Sequence, residues 1–188
     1  MRNFYLDKNE TLSSRKTLNK LSNTLLSLLK QKSFEQISVK ELCRESKTGR
    51  STFYNYFDDI YDLFLRIREL SEWKYKSEFS GILGSFNRVT NLASKDLSPD
   101  MYPEIFTEKA ELELLRAVDR VNAEYEGFVD KREYGKALKL LITLEKPIDD
   151  FFDNIMVIAE DADIRNNRLG LLKSIANMMY RIADLSLI

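Results

Sequence analysis

Apolar residues recur at intervals of three and four along almost the whole chain, and no Asn-Gly or similar turn separates runs of alternating polarity. The first pattern lines one face of a helix, whereas a half-buried strand pair needs the second. The expected fold is therefore all-α. Leu18, Leu21, Leu25, Leu28 and Leu29 predict a first amphipathic helix over about residues 14–31, after an arm over residues 1–12 that should fray. Ser38 with Glu41 three positions on is a capping-box pair that opens a second helix, with Val39, Leu42 and Cys43 facing inward. Residues 46–49 form a turn, RSTFYNYF a short third helix, and Asp58 or Asp59 caps a fourth through Leu63, Phe64 and Ile67. Residues 72–93 should stay helical across Gly81 and Gly84, and two prolines break the chain within 97–103. Further helices are expected over about 104–128, from a cap at Asp130 with Glu133 in the box position to about 145, from Pro147 at a first helical position, and from a cap at Asp163 through Leu185. The total is about nine helices.

Composition narrows the function. At 188 residues, 44% hydrophobic and 31% charged, the chain holds one ordinary folded domain or two small ones. Its apolar runs are far shorter than the ~20 residues a bilayer span needs, and its first ten residues lack the apolar stretch of a secretory signal. A single cysteine, Cys43, excludes an internal disulfide and suits a reducing compartment, so a cytoplasmic location with no membrane partner is expected. The absence of histidine removes the commonest general base and metal ligand, and the six glycines are too scattered for a phosphate loop. No catalytic residue, metal or cofactor is expected, nor catalysis by this chain alone. The formal charge of −1 conceals an asymmetry: residues 1–57 hold 11 Lys/Arg against 5 Asp/Glu, and residues 58–188 hold 18 against 25. A net +6 at one end is the footprint of a phosphate-binding surface, and the −7 elsewhere argues against a second broad one.

Residues 37–57 have the proportions of a helix-turn-helix: a supporting helix, a four-residue turn and a short second helix. Arg50, Ser51, Thr52, Asn55 and the two tyrosines Tyr54 and Tyr56 make that second helix more polar than a structural element requires, while Phe53 and Phe57, one turn apart, would anchor it. The stretch over roughly residues 14–70 resembles the TetR/AcrR family of bacterial transcriptional regulators, with RSTFYNYFDD close to the family's recognition-helix signature. The resemblance implies that Ser38, Val39, Thr52 and Tyr56 hold phosphates of double-stranded operator DNA, and that Thr48, Arg50, Ser51, Tyr54 and Asn55 lie in or beside the groove. The chain departs from the family at Lys47, where glycine is usual, at Gly49, where a small hydroxyl residue is usual, and at Ile60, where a basic residue commonly opens the fourth helix but here follows Asp58 and Asp59.

The other end carries different signatures. FNRVTNLA, YGKALKLLITLEKPIDDFFDNIMVIAED and IRNNRLGLLKSIANMMYRIADLSLI resemble, in order and spacing, the C-terminal end of the bacterial glycyl-tRNA synthetase β subunit over residues 79–188. On the residues alone, Ile148, Phe151, Phe152, Ile155 and Met156 form one apolar face and Leu169, Leu172, Ile175, Met179 and Ile182 another. Two such helices would pack antiparallel, leaving Arg165, Arg168, Lys173 and Arg181 as a tRNA phosphate surface or as partners of Asp161 and Asp163. The resemblance implies an anticodon-binding helical domain of the kind shared with arginyl-tRNA synthetase, reading splayed loop bases as well as phosphates. Aminoacylation is not implied, because the family's active site belongs to a separate α subunit.

Three readings stay open. The chain is a DNA-binding head fused to a synthetase-derived helical domain, with a junction between residues 58 and 79; or a plain TetR-type repressor with a ligand-binding, dimerising C-terminal domain; or a rearranged synthetase fragment acting as a tRNA-binding module. The implied partners are operator DNA, with tRNA or the synthetase α subunit beside it. A homodimer is expected if two heads are to read a palindrome about one DNA turn, ~34–36 Å, apart.

Overall fold

The computed structural model describes residues 10–93, 98 and 100–182, with side chains from Lys16 onward. Residues 1–9 of the expected arm and the expected helix end at Leu185 lie outside the described residues, whereas residues 10–12 of that arm already belong to the first helix. Within them are nine α-helices, two short 3-10 turns and no strand: α1 (Glu10–Leu29), α2 (Val39–Glu45), α3 (Arg50–Tyr56), α4 (Ile60–Trp73), α5 (Ser77–Leu92), α6 (Lys109–Asp130), α7 (Tyr134–Ile142), α8 (Glu145–Asn154) and α9 (Ala162–Ile182).

Two hydrophobic cores form along this series. The first joins Leu21, Leu25 and Leu28 of α1 to Ile37, Leu42, Cys43, Phe53, Phe57 and Leu63, so α1 to α3 and the first turn of α4 close on one another as a head. Burying Phe53 completely contributes about 1.5–3 kcal/mol to this small core. The second, larger core runs from Leu65 to Ile182 and makes the body. Helix α4 belongs to both, with Leu63 in the head core and Leu65 and Trp73 in the body core.

Inside the body α5 and α6 lie at the centre: α8 packs on both, and α9 packs on α5, α6 and α7. The expected direct pairing of the last two helices is thus replaced by packing through α5 and α6. Helix α9 is buried along most of its circumference from Leu169 onward, with Leu169, Leu171, Leu172, Ile175, Ala176, Met178, Met179 and Ile182 all in the core. Such a helix is a core element that has used its apolar surface within the chain.

Several boundaries differ from expectation for local reasons. Residues 72–93 are two helices, parted at Lys74–Lys76, where the Lys76 ammonium sits 3.7 Å from the centre of the Trp73 ring. The long sixth helix begins at Lys109, its approach held by the Glu111 carboxylate, which accepts from the backbone N–H of Thr107 and Glu108 at 3.0 and 2.9 Å. Asp130 ends α6 instead of capping α7; the chain turns there through Arg132 at φ 59, with Arg132 N–H donating to Val129 and Glu133 N–H to Phe128. Pro147 occupies the third position of α8, still within the first turn, where a backbone N–H has no intrahelical acceptor and proline's lack of one costs nothing. Asp161, and not Asp163, caps α9 by accepting from the N–H of Asp163 and Ile164. Met156 is 78% exposed because α8 stops at Asn154 and Ile155 is already extended. From there burial alternates, with Ile155 and Val157 inside and Met156 and Ile158 outside, so a helical reading of this stretch ran past the helix end.

Candidate nucleic-acid interface

The head presents α3 on a frame built by local rules. Ser38 Oγ accepts from Glu41 N–H at 3.2 Å and caps α2, while the Glu41 carboxylate binds the Lys32 ammonium at 2.5 Å. Helix α2 ends with Lys47 N–H donating to Arg44 and Thr48 N–H to Cys43. This six-to-one and five-to-two pair places Lys47 in the left-handed region, at φ 52. Glycine would adopt that conformation freely, which gives the physical meaning of the lysine standing there. Gly49, by contrast, has φ −66 at the start of α3, and a Cβ there would meet only Thr52 Oγ1 at 3.4 Å and Ser51 Oγ at 3.8 Å. That site accepts a side chain.

Phe53 and Phe57 plant α3 in the head core, their rings 5.4 Å apart. The opposite face therefore carries Arg50, Ser51, Tyr54 and Asn55, all exposed and, at spacings of one and four, contiguous on the helix. Thr48, Thr52 and Tyr56 are half-buried at its margins, with Thr48 Oγ1 turned to the Ser46 carbonyl at 3.4 Å. Ser38 is exposed and Val39 half-buried at the start of α2. The nine head residues singled out from sequence thus lie along the solvent side of the α2–turn–α3 unit. Cys43 beneath it is buried, and burial pushes its thiol pKa up despite the charge of Arg50.

The head is held to the body by polar groups that the sequence does not mark. Asp62, with no exposed surface, accepts from Arg66 Nε at 2.8 Å and Nη2 at 2.9 Å, from Asp58 N–H at 3.1 Å, and from the Tyr134 hydroxyl of α7. Arg66 also donates to the Arg181 carbonyl of α9 at 2.8 Å and lies 5.1 and 5.0 Å from the ring centres of Phe57 and Tyr134. Burial and the Asp62 carboxylate raise the Tyr134 hydroxyl to about 12 although Arg66 opposes the shift. At the rim Arg132 binds Asp59 at 2.9 Å and Asp58 at 3.8 Å. Asp59 meanwhile caps α4 through Asp62 N–H, and its carboxyl is held below the usual range by its backbone bonds and Arg132 even though burial opposes this.

The four body cations named from sequence are not gathered on one open surface. Arg165 Nη1 donates to the carbonyls of Ala159 and Glu160 at 3.0 and 3.3 Å and so fastens the α8–α9 loop. The Arg168 side chain, 12% exposed, binds buried Glu111 at 2.5 Å and the Met156 carbonyl at 3.0 Å. Lys173 is 7% exposed. Arg181 pairs with Glu126 and, at 3.4 Å, with Asp130. The RNNRLG string is structural in detail: Asn167 grips Tyr102 through its backbone N–H and carbonyl, Arg168 neutralises Glu111, and Gly170 leaves room for the Asp100 carbonyl, which a Cβ would strike. Exposed Arg116, Arg120 and Lys146, which no sequence motif marks, line an open groove between α6 and α8 with Glu113, Asp119 and Asp150 and form no ion pair among the described residues. Their only sequence signal is the four-residue spacing of the two arginines.

Comparison with known proteins accounts for this two-part architecture. Residues 83–186 match the profile of the DALR anticodon binding domain, and the chain belongs to that family. Residues 23–67 match the profile of bacterial regulatory proteins of the tetR family. Among individual relatives, the glycine–tRNA ligase beta subunit of Moorella thermoacetica is 39% identical over 130 residues, 69% of this chain and 19% of the relative. Those of Persephonella marina and Clostridioides difficile are each 36% identical, over 126 and 129 residues, covering 67% and 69% of this chain and 18% and 19% of the relatives. The chain spans about a fifth of the length of the curated relatives it matches. No helix among the described residues is long and apolar enough to cross a membrane, and no group of acidic, Cys or His side chains among them could hold a metal ion.

Proposed function

We propose that the chain is a two-module nucleic-acid-binding protein of the cytoplasm, with a DNA-reading head over residues 14–70 and an RNA-binding body over residues 79–188. In this reading it acts as a transcriptional regulator. The observation that carries it is the solvent face of α3, where Arg50, Ser51, Tyr54 and Asn55 stand exposed on a helix whose other side is anchored by Phe53 and Phe57. Arginine and asparagine are the side chains that read guanine and adenine edges by paired hydrogen bonds. Ser38, Val39, Thr48, Thr52 and Tyr56 then flank the duplex as positioning contacts. The burial of α9 supports a body that closes within one chain, so a two-fold pairing of heads would use surface other than the apolar side of α9.

A second reading, a tRNA-binding module related to the glycine–tRNA ligase beta subunit, is favoured by the family match of the body and the length of the likeness to those subunits. Two sets of cations compete for the phosphates. Arg165, Arg168 and Arg181 would first have to leave the contacts just described and Lys173 its buried position, whereas Arg116, Arg120 and Lys146 are already exposed.

The intact chain tests both readings at once, titrated at low and moderate salt with the best duplex it selects from a random pool, with random-sequence duplex DNA and with glycine tRNA, the Arg50 variant being compared on the selected duplex. Arg50→Ala should cost DNA binding about 1–3 kcal/mol, a loss of roughly 5- to 150-fold, and leave tRNA binding unchanged. Failure of the intact chain to bind any duplex at low salt would remove the DNA reading and leave the module reading.

A further inference from the structure

The α3–α4 elbow places two carboxylates, Asp58 and Asp59, directly after the helix proposed to face DNA. Helix α3 is seven residues long, about 10 Å, so these carboxylates lie within roughly one or two Debye lengths of any phosphates it faces. They would repel those phosphates. A cation that meets both comes from the body: Arg132, on the α6–α7 turn, binds Asp59 at 2.9 Å and Asp58 at 3.8 Å with 30% of its side chain still exposed. Its backbone is at φ 59, in a helix-ending position that glycine fills without strain. A non-glycine residue in a strained conformation at a junction is worth interpreting when its side chain has a specific partner, and this one has two.

We infer that Arg132 is a positioning residue for DNA binding, which the body supplies to clamp the elbow behind the recognition helix and to offset the carboxylates of Asp58 and Asp59 that would otherwise oppose the phosphate backbone. The inference rests on the DNA reading of the head. It also gives the fused architecture a reason, since the head by itself lacks this charge. Arg132 acts through Asp58 and Asp59 and touches no base.

The test uses the intact chain and a fluorescent duplex selected by the wild-type protein from a random pool. Arg132→Gly removes the side chain at a position where glycine is at ease, so thermal unfolding should show the variant folded. Its DNA affinity should nevertheless fall about threefold to tenfold, and the dependence of affinity on salt should become shallower. Adding Asp58→Asn and Asp59→Asn to Arg132→Gly should restore affinity, since asparagine at 59 still caps α4. A merely structural clamp predicts the opposite, because neutralising its acidic side cannot rebuild it. Arg132→Ala serves as a second single variant. Wild-type DNA binding matched by Arg132→Gly and Arg132→Ala overturns the inference alone. Loss of affinity without rescue by the asparagines overturns the electrostatic role. Absence of duplex binding by the wild type overturns the DNA reading, and the inference falls with it.

Discussion

Replacing Arg66 by methionine isolates the chemistry of the joint between head and body. Methionine retains the apolar stem and removes the guanidinium, leaving the wholly buried Asp62 carboxylate with Asp58 N–H and the Tyr134 hydroxyl but no cation. Breaking a buried pair by removing one partner costs about 3–5 kcal/mol, because the remaining charge keeps its desolvation penalty. The Arg181 carbonyl loses its donor as well, for about 1 kcal/mol more. In a chain of this length each kcal/mol moves the melting midpoint by about 2–4 °C, so Arg66→Met should lower it by about 8–24 °C. The sharper test adds Asp62→Asn. In the wild type that change strands the Arg66 charge and should destabilise. In the Arg66→Met background it removes the stranded carboxylate and should restore roughly 2 kcal/mol or more. Differential scanning calorimetry and urea unfolding of the four proteins measure this sign reversal. If Asp62→Asn destabilises both backgrounds equally, the two residues are not coupled and the assignment of the joint is wrong.

Lys47→Gly should stabilise the chain by about 0.5–1 kcal/mol in urea unfolding, because the left-handed conformation penalises lysine by more than glycine loses in backbone entropy. A less stable variant would show that the lysine side chain, not the backbone, governs this turn. Cys43 should react with a thiol reagent at least ~100-fold more slowly in the native protein than in the unfolded chain, since burial both hides the sulfur and disfavours its thiolate. Rapid native labelling would mean that α2 turns its other face to the core.

Features governed by neighbours in the chain were legible in advance. The caps at Ser38 and Asp59, the anchoring pair Phe53 and Phe57, and the exposed polar face of α3 each follow from spacing within one or two turns. The helical reading failed where a periodic apolar pattern outlived its helix, as at Met156, because an extended chain can bury alternate residues of the same string. It also failed at Asp130, where a carboxylate suited to capping the next helix was absorbed into the last turn of the preceding one.

The sequence by itself determined the all-α class, the helix-turn-helix unit and its outward residues, because helix formation, capping and amphipathic burial depend on contacts a few residues apart. Only the tertiary structure decided what the charged residues do. Asp62 reaches Tyr134 across 72 positions and Arg66 reaches Arg181 across 115, while Arg168, which on sequence looked available to RNA, neutralises Glu111 57 residues away. A buried charge is stable only beside its partner, and that partner is chosen by how whole helices pack, which no local spacing encodes.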